Sequence, residues 1–448
     1  MSERSSSTST YLLVPILLIA LLLGIAAVRN PNLVSMAGFG SAIIVAAPLV
    51  LATYALMALA VAGRGTVDLA VGPLMAFINV SIVKLNMLEV VTGPFGVFFV
   101  ALGLGVLYQL LFALIVIWVR VQPIIVALSG FLALSGINLV ILQRPGGMAP
   151  EWMGSWGLGT TVFSPVLLIV LIATGGWLLF TLTPFYANLR MMGYDERAAW
   201  TSGVRINIVR IGAHVIAGLF AGLGALCYTA LIASGDPTQG TTMTLTAVTA
   251  LVLGGVSLTG GRGGVTGALL GALNLYLIGF VLATFNFGAV QAFVTQMAYG
   301  IILVLSLLLT LLVPVIGRHI SFITPWGSFL VLAVVVAGIM LHVATMGAYL
   351  PAEPVAGSAQ GEVLTRYLLD LPGSGADLGL TLSPLQRAAF LAALALVALV
   401  FTARLIHAEA RVREMGLFHY IFVATLILAL FAVVAGQGGG LLTGGVTP

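Results

Sequence analysis

Long apolar runs recur along almost the whole chain, and no other feature restricts the possible folds as strongly. A helix that crosses a membrane needs about 20 mainly apolar residues. Only 7% of the 448 residues are charged, whereas a soluble domain has roughly 25%. The sequence therefore predicts an all-α polytopic membrane protein. We place thirteen spans, at 11–28, 41–62, 67–85, 95–119, 123–142, 162–183, 208–232, 242–259, 264–285, 290–316, 327–347, 386–403 and 417–436.

Two of these segments, 67–85 and 242–259, contain clusters of Gly, Pro or Thr. Each is either a full crossing or a broken, re-entrant helix, and the sequence leaves both alternatives open. Non-helical backbone at membrane depth is tolerated only where protein or a water-filled cavity covers it.

The basic residues distinguish the two faces of the membrane. With a cytoplasmic N-terminus and alternating spans, twelve of the 17 Lys and Arg residues fall on the inside. The other five are Arg29, Lys84, Arg144, Arg366 and Arg387. Cytoplasmic loops of membrane proteins carry an excess of Lys and Arg, so this distribution predicts a cytoplasmic N-terminus.

Several kinds of chemistry have no motif in this sequence. The phosphate-binding pattern G-x-x-x-x-G-K-[ST] does not occur, and the single lysine, Lys84, is placed outside. The five histidines show no metal-ligand spacing, and we predict that His214 packs or snorkels rather than ligates. We therefore predict no catalytic residue, no metal site and no cofactor in this chain.

Three segments stand out for glycine and charged residues: AGRGTVDLAVGP (62–73), MMGYDERAAWTSGVRIN (191–207) and LVLGGVSLTGGRGGVTGALLGALNL (251–275). The first predicts a cytoplasmic turn between two spans. Thr66 or Asp68 can cap the helix that follows, and Arg64 is placed to pair with Asp68.

The second segment, 191–207, predicts a short helix with Asp195, Glu196 and Arg197 outside and Ala198 and Ala199 facing inward. That helix is either part of an ordinary solvated loop or an element that docks into a groove on a partner.

In this order, the three segments resemble the signatures of ribose-type (simple sugar) ABC transporter permeases, within the branched-chain amino acid/sugar permease superfamily. Residues 65–77 resemble G-G-I-D-L-S-V-G-S, and the third segment is similar to L-G-G-T-S-L-x-G-G-R-G-S-V. A weaker similarity lies at 121–137, and the resemblance covers about residues 41–317. The matching motif residues are Asp68, Gly72, Gly254, Gly255, Gly260, Gly261, Arg262 and Gly263.

The resemblance implies a type II ABC importer-like core of about ten spans. It divides the chain into an N-terminal span (1–40), a permease core (41–317) and a C-terminal extension (318–448), which holds three further spans and an outside loop at 348–385. It also implies a location in the bacterial inner membrane. The residues that would couple the permease to its ATPase are Gly193, Asp195, Glu196, Arg197, Ala198, Ala199 and Gly203.

The partners implied by the resemblance are a second permease, identical or different, two cytoplasmic ATPase subunits that bind ATP and Mg²⁺, and a periplasmic binding protein. Membrane lipid surrounds the complex, and no nucleic acid is expected.

This chain departs from the family pattern in three ways. Asp195 stands where Asn is usual, Ser135-Gly136 replaces an Arg-Gly pair, and about 130 residues follow the core.

The substrate path is expected among polar side chains inside spans, because amides offer both donors and acceptors to hydroxyl-rich substrates. The candidates are Tyr108, Gln109, Asn138, Asn274, Tyr276 and Gln296. Hydrogen bonding between helices is the competing interpretation for each of them.

The leading hypothesis is the permease subunit of an importer for a simple sugar or related polyol. An importer of branched-chain amino acids or nucleosides is the alternative within the class, and residues 257–263 favour the sugar branch. An ion-coupled secondary transporter is the alternative from another class. It is disfavoured because we place no acidic residue in the middle of a span.

Overall fold

The computed structural model describes residues 13–29, 36–63, 67–157, 162–285, 293–302 and 304. All of them lie in one compact unit, Met1–Met340. The C-terminal extension predicted at 318–448, with its three spans and its loop at 348–385, lies outside the described residues. So do Arg64 and Thr66.

Helices form nearly all of the described structure. In chain order they are α1 (Leu13–Arg29), α2 (Met36–Ala62), α3 (Val71–Met87), α4 (Pro94–Leu114), α5 (Pro123–Ile141), α6 (Glu151–Gly154), α7 (Pro165–Phe180), α8 (Pro184–Tyr194), α9 (Glu196–Thr201), α10 (Ile206–Ile232), α11 (Gly240–Leu253), α12 (Val265–Ala283) and α13 (Phe293–Ile302). A π-helical turn, Ile115–Val119, extends α4. The described residues contain no strand beyond an isolated bridge between Gly146 and Gly235.

Five helices in the described ranges are long and apolar enough to cross a membrane: α2, α4 with its π-helical turn, α5, α10 and α12. The pair α7 and α8 adds a sixth if it counts as one span, although the two helices meet at an angle of 76°. The predicted all-α membrane architecture is therefore confirmed, with five or six apolar spans in the part of the chain that the structure describes.

The two ambiguous segments are short helices flanked by irregular backbone. α3 begins at Val71, after four non-helical residues, and α11 ends at Leu253, before a glycine-rich turn at 254–264. The span predicted at 162–183 is also shorter than expected. α7 ends at Phe180, and the Thr183 hydroxyl accepts the Tyr186 N–H to start α8 at Pro184. A proline is favoured in the first turn of a helix, which explains the new start.

α2 and α10 lie at the centre of the bundle. In α2, 83% of an 18-residue apolar stretch is buried. α10 packs against α2, α3 and α4. α10 runs antiparallel to α4, and Gly218 faces Gly105 so closely that a Cβ at 218 would lie 2.5 Å from the Gly105 carbonyl oxygen. Small residues at such crossings allow membrane helices to approach closely, so Gly218 serves helix packing.

Candidate functional site

The three sequence segments meet at one end of the bundle. The Gly261 N–H donates to the Val61 carbonyl at 3.1 Å, and the Arg190 Nε–H donates to the Gly261 carbonyl at 3.3 Å. A Cβ on Gly193 would overlap the Val61 carbonyl oxygen. The end of α2, the end of α8 and the glycine-rich turn therefore pack as one unit. We call this end of the bundle the arginine-rich end, because it carries Arg190, Arg197, Arg205 and Arg262.

The glycine-rich turn requires glycine for its backbone shape. Gly260, Gly261 and Gly263 have φ angles of 111°, 69° and 119°, which side chains other than glycine rarely adopt. Arg262 is exposed within this turn, and its carbonyl accepts the Ser257 N–H at 3.1 Å. Gly254 lies against Gly267 of α12, where a Cβ would meet backbone, so the motif glycines shape the turn and its helix contacts.

The short helix α9 begins on a side-chain cap. Asp195 accepts the backbone N–H groups of Arg197 and Ala198 through its Oδ1 atom, at 2.9 and 3.1 Å. Asn and Asp cap helices about equally well, so the departure from the usual Asn preserves the helix start. The helix ends at Thr201, and Gly203, with a φ of 86°, turns the chain toward α10.

The two alanines of α9 differ in exposure. Ala199 is fully buried, whereas Ala198 is exposed. The expectation that both face inward is therefore wrong for Ala198, because the helix has only six residues and a single buried face. Its exposed face carries Arg197, Ala198 and Trp200, with Trp200 71% exposed. An open groove of about 730 Å³ runs beside it, lined by Glu196, Arg197, Trp200 and residues 203–208.

One ion pair joins α9 to the membrane helices. Arg210 Nη2 lies 3.0 Å from Glu196 Oε2, and the two side chains are 10% and 22% exposed. Arg210 belongs to α10, so the pair links an exposed helix to the centre of the bundle. The sequence did not predict this role for Arg210, because its partner lies fourteen positions away and no local pattern marks the pair.

Asp68 lies in a buried polar network rather than in an exposed turn. It is 1% exposed, and its two oxygens accept the Ala70 N–H at 2.8 Å and the Gln109 Nε2–H at 2.5 Å. Gln109 Oε1 in turn lies 2.7 Å from His214 Nδ1. Gln109 stands ten residues before Val119, about 15 Å along a helix axis, which places Asp68 well inside the bundle.

The expectation that Asp68 caps the following helix is wrong. The N-cap of α3 is Ala70, and α3 has no side-chain cap. Asp68 instead accepts the N–H of the N-cap residue itself, so it holds the irregular backbone that leads into the helix. The predicted pairing with Arg64 lies outside the described residues.

α3 is held in place by polar contacts on several sides. The Thr244 hydroxyl accepts the Gly72 N–H and donates to the Leu69 carbonyl, both at 3.0 Å. Gly72 also faces Gly240 at the start of α11, where a Cβ would overlap backbone. Midway along α3, Asn79 Nδ2 donates to Thr229 Oγ1 at 2.9 Å. Sequence reasoning missed Thr244 and Asn79, which read as ordinary polar residues.

Three of the six substrate-path candidates surround the start of α3. Tyr108 packs its hydroxyl against Gly130, Gln109 binds Asp68, and Asn138 Nδ2 donates to the Pro73 carbonyl at 3.0 Å. The Tyr108 hydroxyl and Asn138 Oδ1 are buried and have no hydrogen-bond partner among the described residues.

The other three candidates make different contacts. Asn274 donates to the Pro15 carbonyl of α1 at 2.7 Å, and Tyr276 packs beside Phe280 with the ring centres 6.3 Å apart. Gln296 is exposed on α13. The structure therefore brings Tyr108, Gln109 and Asn138 together and leaves Asn274, Tyr276 and Gln296 apart from them.

These features define a multi-pass helical membrane protein in which an exposed short helix adjoins close backbone contacts made by glycines. Residues 38–313, more than half of the chain, match the family model "Branched-chain amino acid transport system / permease component". The chain belongs to this family.

Curated relatives support the same assignment. The Ribose import permease protein RbsC of Escherichia coli K12 is 30% identical over 254 residues, which cover 54% of this chain and 76% of the relative. The RbsC protein of Bacillus subtilis is 34% identical over 145 residues, 32% of this chain and 44% of the relative. The Xylose transport system permease protein XylH of E. coli K12 is 32% identical over 147 residues, 32% of this chain and 36% of the relative. No solved structure matches the chain.

Proposed function

We propose that this chain is the transmembrane permease subunit of an ATP-driven ABC importer that translocates a simple sugar or related polyol. The observation that carries the proposal is the exposed, capped helix α9, whose base is fixed by buried Ala199 and the Glu196–Arg210 pair. The permease family and the relatives named for ribose and xylose support the substrate class.

α9 serves as the docking helix for a cytoplasmic ATPase subunit. Arg197, Ala198 and Trp200 face away from the bundle, and aromatic and Arg side chains are enriched at protein interfaces. Gly193 and Gly203 fix the two ends of the segment, while Asp195 starts the helix. Motion of the ATPase then reaches the bundle through the packed unit at the arginine-rich end.

The assembly contains a second permease, cytoplasmic ATPases that bind ATP and Mg²⁺, and a periplasmic binding protein. It lies in the inner membrane with the N-terminus in the cytoplasm. The permease core spans about residues 41–317 and crosses about ten times, and three further spans follow in 318–448. Deleting 327–448 and measuring uptake tests the extension, and unchanged uptake would show that it is peripheral.

Tyr108, Gln109 and Asn138 lie where a substrate path along α3 would pass, and they are the first residues to test for substrate contact. Asn274, Tyr276 and Gln296 are the second group. Between α3, α10 and α11 the cavity is only about 10 Å³, comparable to the space for one water. A sugar would require these helices to separate during transport.

Reconstitution of the chain into liposomes with its ATPase and binding protein tests this function. Uptake of a labelled pentose that requires all three components and ATP is the expected result. Uptake by this chain alone, driven by an ion gradient, would establish the secondary transporter instead. Competition by branched-chain amino acids or nucleosides, without competition by sugars, would establish the other importer class.

A further inference from the structure

Two sets of polar contacts, linked by one face of α10, lead from the docking helix to the start of α3. The first set is the ion pair between Glu196 and Arg210 at 3.0 Å. Arg210 and His214 are four residues apart on α10, and residues at this spacing lie on one helix face. His214 contacts Gln109 at 2.7 Å, and Gln109 contacts Asp68 at 2.5 Å. We call these five residues the polar relay.

The hydrogen-bond chemistry gives the buried part of the relay a fixed direction. An ionised carboxylate can only accept hydrogen bonds, so Gln109 must turn its Nε2–H toward Asp68. Its Oε1 then faces His214, which must donate from Nδ1. The orientation of each group therefore depends on the one before it.

This arrangement leaves His214 Nε2 buried without a hydrogen-bond partner among the described residues. Unpaired buried polar atoms are uncommon and reduce stability. An apolar residue at 214 would avoid that penalty, so packing alone does not account for a histidine at this position.

The relay lies where helix movement would be transmitted. Gly105 and Gly218 hold α4 and α10 in close contact one turn from the Gln109–His214 pair. The irregular backbone before α3 depends on Asp68, which holds the Ala70 N–H. A displacement of α9 acts on Arg210 through the ion pair, and Arg210 shares a face of α10 with His214, which contacts Gln109.

We propose that Gln109 and His214 are positioning residues of the transport cycle, which link the docking helix to the irregular start of α3. The inference rests on the proposed function, since it assumes that an ATPase moves α9. It assigns these two residues to coupling between ATP hydrolysis and substrate movement, and for Gln109 this role replaces the substrate contact considered above.

The test measures substrate taken up per ATP hydrolysed by the reconstituted complex. His214→Leu and Gln109→Met remove the polar atoms and preserve much of the volume. His214→Gln restores a donor that can reach Gln109. The matched control is Tyr54→Phe, which removes one buried interhelical hydrogen bond, to Thr174 at 3.0 Å, outside the relay. Detergent-extracted yield and melting temperature are recorded for every variant.

We expect His214→Leu and Gln109→Met to lower uptake per ATP about tenfold, a typical scale for coupling between sites. His214→Gln should recover part of the loss, and Tyr54→Phe should match the wild type. If the His214→Leu protein does not accumulate, the uptake per ATP of Gln109→Met and His214→Gln provides the test. If the relay variants keep the wild-type uptake per ATP, or if Tyr54→Phe loses as much of it as they do, the relay proposal is wrong and the proposed function stands. Absence of ATP-dependent uptake in the wild type overturns both proposals.

Discussion

Glu196 and Arg210 form an ion pair of 3.0 Å that joins an exposed six-residue helix to a helix at the centre of the membrane bundle. Both side chains are largely covered, so neither charge is well hydrated. Removing one partner from such a pair leaves the other charge poorly solvated, which is more damaging than removing an exposed pair.

Arg210→Met should therefore destabilise the protein by about 1.5–3 kcal/mol, the range for hydrogen bonds to charged groups. The melting temperature in detergent measures this loss. Arg197→Met is the matched control for stability, because Arg197 is exposed on the same segment. Equal melting temperatures for the two variants would show that the ion pair contributes nothing to the fold.

Gly193→Ala should disrupt the arginine-rich end. A Cβ at this position would overlap the Val61 carbonyl oxygen and lie 2.6 Å from the Gly261 nitrogen. Overpacking of this kind typically costs about 1–3 kcal/mol. We expect a lower melting temperature and reduced uptake together.

Gly103→Ala is the control for that substitution. Gly103 lies inside α4, and no atom lies within 4 Å of its added Cβ. Ala is favoured over Gly in helices by roughly 1 kcal/mol, so this variant should be neutral or slightly more stable. Similar losses in both variants would contradict the packing explanation.

The long spans could be predicted from sequence because hydropathy is a local property. The run predicted at 95–119 corresponds to α4 with its π-helical turn, and the run at 208–232 corresponds to α10. The span predicted at 162–183 extends three residues past the end of α7 at Phe180, because Leu182 continues the apolar run. Residues 181–183 instead form the turn that leads to the Thr183 cap of α8.

The site was only partly predictable, because its decisive contacts join distant positions. Asp68 pairs with Gln109, 41 residues away, and Gln109 with His214, 105 residues away. No local pattern marks such a contact, so Asp68 was expected at a cytoplasmic turn between two spans. Gln109 was selected as a polar residue within a span, but its partners could not be named.

Ala198→Arg tests the docking helix at its exposed face. The arginine would extend from α9 without disturbing the bundle, so the permease should fold normally. We expect a loss of ATPase binding in a pull-down with the partner subunit and a loss of substrate-stimulated ATP hydrolysis. Normal hydrolysis by this variant would refute docking through α9.

Ala199→Arg should behave differently. Ala199 is fully buried, and an arginine there would place a charge inside the packed unit, so we expect the protein to fail to accumulate. If α9 instead presented Ala199 to a groove on a partner, as the docking interpretation of the sequence allows, the variant would fold and lose coupling. Yield after detergent extraction separates the two expectations, and a folded Ala199→Arg protein would contradict the burial of this face.

Asp68→Asn separates the charge of Asp68 from its hydrogen bonds. Asn can accept the Ala70 N–H, and its amide can donate to Gln109 if the Gln109 amide rotates by half a turn. Gln109 would then donate to His214, so the contacts survive with reversed direction. We expect a stability loss of about 1 kcal/mol, comparable to one hydrogen bond, with uptake retained.

Asp68→Leu removes both hydrogen bonds and should abolish uptake, because the start of α3 and Gln109 lose their shared partner. Uptake and melting temperature are measured together for the two variants. If Asp68→Asn folds normally and does not transport, the negative charge itself is required, and Asp68 acts in gating rather than in holding the backbone.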